Sequence, residues 1–167
     1  MIHTQDEIII HLPLSKVIYL FQQPEYFKHW QHGLIDFKYL SGAPGAQGST
    51  RQMRIKMAGQ AITMKEEITL VDLPHRWKAT YKLKGVINYQ DNKFESCSDS
   101  IQQPLTNINK NNQGSTRWLA QSQFKFTGMM RWVAKARPQA FEKQTRQHMN
   151  DFKIFAENYD FKNDRPT

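Results

Sequence analysis

From Ile35 to Phe126 apolar and polar side chains alternate, and this pattern constrains the fold more than any other feature of the chain. Successive side chains of an extended backbone point to opposite faces, so period-two patterning marks strands with one buried and one wet face. Ile35, Phe37 and Tyr39 alternate with Asp36 and Lys38, and Arg51, Met53, Ile55 and Met57 with Gln52, Arg54 and Lys56. Ile62, Met64, Ile68 and Leu70 share one parity, and Trp77, Ala79, Tyr81 and Leu83 alternate with Lys78, Thr80, Lys82 and Lys84. A further strand covers about residues 88–100, and Trp118, Ala120, Ser122, Phe124 and Phe126 form the last alternating run. Turn-forming residues separate them: Gly42, Pro44, Gly45 and Gly48; Gly59; Asp72 and Pro74; and the polar stretch 107–114. The middle of the chain is therefore an antiparallel sheet.

Its flanks are different. Residues 2–12, with Ile8, Ile10 and Leu12 at period two, predict a strand ended by Pro13. Ser15 stands where a helix N-cap belongs, and Val17, Ile18, Leu20 and Phe21 make one apolar helical face. Pro24 stops that helix and opens a second short one over 25–30, which ends at Gly33. After the strands comes a helical segment, 129–159. Pro138 within it would cost about 3 kcal/mol in a helix interior, so a break is expected at Arg137 and Pro138. Beyond it Phe141, Thr145, Met149, Phe152, Phe155 or Ala156, and Tyr159 recur at spacings of three and four. A helix over 139–159 is about 31 Å long, enough to cross a sheet. The expected class is α+β: a curved antiparallel sheet of about seven strands around a long C-terminal helix, with two short helices after the first strand. Residues 1–160 make one domain and 161–167 a tail.

Composition narrows the function. The 167 residues suit one domain, and 12% aromatic content excludes a disordered chain. No apolar run approaches the ~20 residues of a membrane-spanning helix. The single Cys97 excludes an intrachain disulfide and a multi-cysteine metal site, and Asp6 and Glu7 precede any secretory-type apolar stretch. A cytoplasmic location is the expectation. The net charge of +8 leaves nucleic acid, an anionic membrane or an acidic small molecule as partners.

The order of elements and its turns resemble the START-like superfamily, also called SRPBCC, which includes birch-pollen allergens and polyketide cyclase/dehydrase-like proteins. The likeness is carried by Gly45, Gly48, Thr50 and Arg51 at the hairpin into the third strand, and by Glu66, Glu67, Ile68 and Thr69 followed by Asp72, Leu73, Pro74, His75, Arg76 and Trp77. Gly114 to Trp118 at the entrance of the last strand and Phe141, Thr145, Asp151, Phe152 and Glu157 in the closing helix complete it. The connection around Gln60 and Ala61 is shorter than the family pattern. The resemblance covers roughly residues 8–159. It implies a helix-grip fold with a hydrophobic ligand held between sheet and long helix, and only some branches of the superfamily catalyse. Fold by itself does not carry chemistry.

The inward-facing set would line that space. It comprises Phe37, Tyr39, Met53, Ile55, Met57, Met64, Trp77, Tyr81, Trp118, Ser122 and Phe124 from the strands, with Phe141 and Met149 from the helix. Large apolar walls with a few hydroxyls suit a small hydrophobic or amphipathic molecule, and the methionines would let the walls adapt. A packed core needs the same alternation, so both readings stand on sequence alone. Glu66 shares the inward parity, which places a carboxylate where it needs a cation or donors unless a bulge turns it out or it lies at a wet mouth. A cyclase- or dehydratase-like enzyme would relay protons through Glu66, Tyr39, Tyr81 and Ser122. No catalytic residue is assigned, because no nucleophile elbow, phosphate loop or dinucleotide fingerprint occurs. His3, His11, His29, His32, His75 and His148 lack metal-ligand spacing, so neither a metal nor another cofactor is expected. Lys78, Lys82 and Lys84 line the outer face of one strand, while Arg131, Lys135, Arg137, Lys143 and Arg146 follow the closing helix. These cations suit a plain solvated surface; aromatics at inward parity disfavour nucleic acid, so that among partners weak contact with an anionic membrane, or a negatively charged ligand, fits better. Oligomeric state has no sequence signature here. Access to the cavity is expected near the short helices and Arg137-Pro138.

Overall fold

The computed structural model describes residues 1–57, 59–97, 114–136 and 139–162. Seven strands form one sheet: β1 (Ile2–Ile10), β2 (Leu34–Ser41), β3 (Thr50–Met57), β4 (Gln60–Asp72), β5 (Arg76–Leu83), β6 (Val86–Cys97) and β7 (Ser115–Phe126). Their order is β1-β7-β6-β5-β4-β3-β2, antiparallel throughout. Because β1 and β2 are the two edges, the chain between them must travel from one edge to the other. It does so as α1 (Leu14–Gln22), a 3-10 turn (Pro24–Tyr26) and α2 (Phe27–Trp30). The chain closes with α3 (Met130–Ala136) and α4 (Gln139–Glu157). This is the expected helix-grip arrangement. No helix among the described residues is long and apolar enough to cross a membrane.

Local differences have local causes. β1 ends at Ile10, two residues before the expected boundary. Pro13, not Ser15, caps α1: its extended backbone (φ −61°, ψ 148°) aims its carbonyl at the amides of Lys16 and Val17, at 3.0 and 3.1 Å. Ser15 lies inside the first turn. In β4 the register shifts between Ile68 and Leu70, so Leu70 pairs with outward Lys78 and Val71 with Trp77. That bulge moves Leu70 off the inner face but falls beyond Glu66, which stays inward. The expected break at Arg137 and Pro138, residues 98–100 of the predicted sixth strand and 107–113 of the polar stretch lie outside the described residues.

α4 crosses the sheet over about 28 Å. It buries Thr145, Met149, Phe152 and Ala156, the three-and-four stripe the sequence predicts. Arg146 reaches Asp6 of β1 at 2.7 Å, and the Glu157 carboxylate accepts from the His11 amide at 2.8 Å. These contacts fix the helix along the β1 side. The core beneath is aromatic, with the Phe21 ring 5.1–5.8 Å from those of Trp77, Phe94, Trp118 and Phe152. Buried Trp118 donates from Nε1 to Asn92 Oδ1 at 2.9 Å, so its polar handle is satisfied inside the core.

Candidate functional site

The strand register lays one polar row across the inner face. Tyr39 pairs with Arg51, Arg51 with Glu66, Glu66 with Tyr81 and Tyr81 with Asn88. Directly opposed residues lie close enough for their side chains to touch, so the ladder itself brings a base, an acid and two phenols together. Arg51 Nη2 donates to Glu66 Oε2 at 2.8 Å, and Arg51 Nε lies 2.6 Å from Oε1. Arg51 is 6% exposed and Glu66 2%. The guanidinium also sits 4.4 Å from the Phe27 ring centroid and 5.3 Å from that of Phe37.

Above this row is a cavity of about 350 Å³, within the range of small-molecule sites. Its floor is Arg51, Glu66, Ile68, Trp77, Tyr81 and Gln90 from the sheet. Its walls are the end of α1 and α2, through Phe21, Phe27, Trp30 and Gln31, with the β2–β3 turn at Pro44, Gly45 and Ser49 and with His148 of α4. The far half of the concavity is filled by the Phe94, Trp118 and Phe152 core. The same inner face thus holds a packed core and a void side by side.

Electrostatically the cavity is quiet. Burial works against the Arg51 charge, yet Glu66 outweighs it and the guanidinium's pKa ends raised. Burial, then the Glu66 charge, pushes the Tyr81 phenol well above its usual range; burial raises Tyr39 despite the opposing Arg51 charge. Both phenols remain protonated donors. Burial lowers His148 to about 4, so its imidazole is neutral near pH 7. Its ring lies 5.0 Å from that of Trp30. Two buried atoms of the wall, Trp30 Nε1 and Gln31 Oε1, have no hydrogen-bond partner. Both atoms are closed off from their surroundings, and leaving a buried polar atom unpaired costs about 1–3 kcal/mol.

Of the residues expected to line the space, the cavity brings together Tyr39, Glu66, Trp77 and Tyr81. Phe37 stands behind Arg51, and Trp118 and Met149 are wholly buried in the core. Met53, Ile55, Met57 and Met64 lie along the β3–β4 pair without lining the cavity. Phe124 and Phe141 pack on each other at 5.0 Å in a separate cluster with Phe126. Buried Ser122 lines a shallow groove with outward-facing Lys78 and Gln121 rather than the cavity. Sequence reasoning missed Arg51 as a site residue, although its shared parity with Met53 was a signal that it points inward. Trp30, Gln31 and His148 had no such signature, since helix–sheet packing places them. Among the described residues no cluster of three metal-ligating side chains occurs.

No protein-family profile and no curated protein matches this sequence. Solved structures do. A protein of Thermus thermophilus superimposes with a TM-score of 0.69 at 11% identity, over 92% of this chain and 96% of that one. Ara h 8.0201 gives 0.67 at 12% identity, over 94% and 98%. The Zhui aromatase/cyclase from Streptomyces sp. R1128 gives 0.67 at 10% identity, over 93% of each chain. At such identities the likeness is one of fold.

Proposed function

We propose that this protein binds a small, uncharged, amphipathic molecule in the cavity over the Arg51–Glu66 pair. The observation that carries this reading is the cavity's internal neutrality. Its acid and base cancel each other, its imidazole is neutral, and what remains for a guest is apolar surface and neutral hydrogen-bonding groups. A charged guest would lose its hydration and find no free counter-charge. A neutral one can meet the hydrogen-bonding side chains of Tyr39 and Gln90 while lying against Trp77. Tyr39, Glu66, Trp77 and Tyr81 are then ligand contacts, and the remaining inward residues shape the container from behind. A fold shared with an aromatase/cyclase supports the placement of a ligand between sheet and helix.

A cyclase- or dehydratase-like activity in the same cavity is the second reading, favoured by the Tyr81 phenol beside Glu66 and by the neutral His148 imidazole facing the same space. Ser122 lies apart from such a relay.

Native mass spectrometry of the purified protein, with extraction of any retained molecule, is the first test. Quenching of Trp30 and Trp77 fluorescence by matched naphthalenes is the second: 2-naphthol, 2-naphthoate and 2-naphthylmethylammonium. The neutral phenol should bind at least roughly tenfold more tightly than either ion. A preference for an ion, or the absence of both a retained molecule and probe binding, overturns the reading. Conversion of the extracted molecule on incubation with fresh protein identifies the enzyme.

A further inference from the structure

From Gly114 to Phe141 the chain has no acidic residue, while Arg117, Lys125, Arg131, Lys135 and Arg137 supply positive charge. At the centre of this stretch is α3. The helix is seated on one side: Ala134 is buried, and the Met130 side chain lies against the β5–β6 turn, within 2.7 Å of where a Cβ on Gly85 would stand. Trp132 is two residues from each of these anchors, about half a turn round the helix, and therefore points away from the sheet. It is 75% exposed, and Met129 just before the helix is 84% exposed. Arg131 and Lys135 are exposed on the same short helix, and Lys125 is exposed on the adjacent end of β7. Among the described residues none of these three cations is in an ion pair. A groove containing Met1, Ile2 and Phe126 lies between them.

We propose that α3 is a docking surface for an anionic phospholipid bilayer, with Trp132 and Met129 entering the headgroup layer and Lys125, Arg131 and Lys135 facing lipid phosphates and carboxylates. Tryptophan is at home at the level of the headgroups, where its ring is half apolar and its N–H stays hydrated. Arg131 and Lys135, together with Lys125, whose ammonium lies 5.0 Å over the Tyr89 ring, gain from the negative surface potential of the leaflet, and each adds to the others. A nucleic acid would call for several stacking aromatics along a cationic track, and α3 offers one. An acidic protein would need pockets of its own matched to the two protruding apolar side chains, whereas a headgroup layer accepts them without any. The surface is at the β5–β6 turn, the opposite end of the sheet from the β2–β3 turn that walls the cavity. The inference is therefore independent of the ligand-binding reading.

The test is co-sedimentation of the full chain with large vesicles, either phosphatidylcholine alone or with about a third phosphatidylserine, at about 0.1 M salt and again at several-fold higher salt. Binding is expected to the anionic vesicles only, to weaken with salt, and to bring a blue shift of fluorescence. Trp132→Ala should abolish the blue shift and weaken partitioning. Arg131→Gln and Lys135→Gln should each weaken it roughly fivefold. Both kinds of change lie on exposed positions, and unchanged thermal midpoints will show that the variants fold. Three results overturn the proposal: no binding to anionic vesicles at low salt, equal binding to neutral ones, or anionic binding that all three variants leave intact. Displacement of the vesicles by a single-stranded RNA oligonucleotide at lower concentration also overturns it, by assigning the patch to nucleic acid.

Discussion

Arg51 and Glu66 are two charges taken out of water and held against each other. Desolvation penalises both, and mutual attraction with fitted hydrogen bonds offsets that penalty only while both are present. Removing one leaves the other stranded. Arg51→Met or Glu66→Leu alone should therefore destabilise the protein by about 3–5 kcal/mol in urea unfolding. The double variant Arg51→Met/Glu66→Leu should lose less than either single one. Additive losses would show that the two side chains act independently. The Phe27 and Phe37 rings flanking the guanidinium make methionine a reasonable filler at position 51, since it keeps an unbranched, polarisable chain between aromatic faces.

At the scale of elements, short segments do much of the positioning. Pro13 starts α1 without a side-chain cap, the β4 bulge ends the inward parity two residues after Glu66, and the β5–β6 turn seats α3. Gly85 holds φ +81°, and an added Cβ there meets the Met130 side chain as well as backbone strain. Gly59, at φ +82°, has open space around it. Gly59→Ala should thus cost only the left-handed strain, about 1–2 kcal/mol, whereas Gly85→Ala should cost more. Thermal unfolding of the two variants side by side measures the difference. Equal losses would mean that Met130 moves aside freely and that α3 is not held by this turn.

Across the whole molecule, His148 couples three elements: it projects from α4 beside Trp30 of α2 and Trp118 of β7. Its folded value of about 4 lies below its ordinary 6.5, so the unfolded chain takes up the proton first as pH falls. Stability should then decline from about pH 6.5 down to 4, by roughly 3 kcal/mol at most, and level off below that. Asp91, held below the ordinary carboxylate range first by the hydrogen bond from Arg76, loses its contribution at lower pH, as the proton displaces that bond. The two windows are separable. Urea midpoints between pH 4 and 7 should slope in the wild type and flatten in His148→Gln. An unchanged slope in the variant would assign the loss to another group.

The alternation of β3, β5 and β7, the Pro24 boundary and the stripe Thr145, Met149, Phe152 and Ala156 were all legible in the sequence. Each is a consequence of periodicity in a single element, which needs no knowledge of its neighbours. The inward parity of Glu66 and Arg51 was legible for the same reason. Their union was not, because it depends on which residue of β3 stands opposite which residue of β4. Nor could periodicity tell void from core: Tyr81 and Trp118 have the same parity, yet one faces a cavity and the other is wholly buried. Phe21 and Phe94 fill one part of the concavity while α2 stands off the other, and that division is a property of how helices rest on a curved sheet. The chain alone determined which side chains face inward; only tertiary packing decided how much room was left between them, since volume is set by all the neighbours at once.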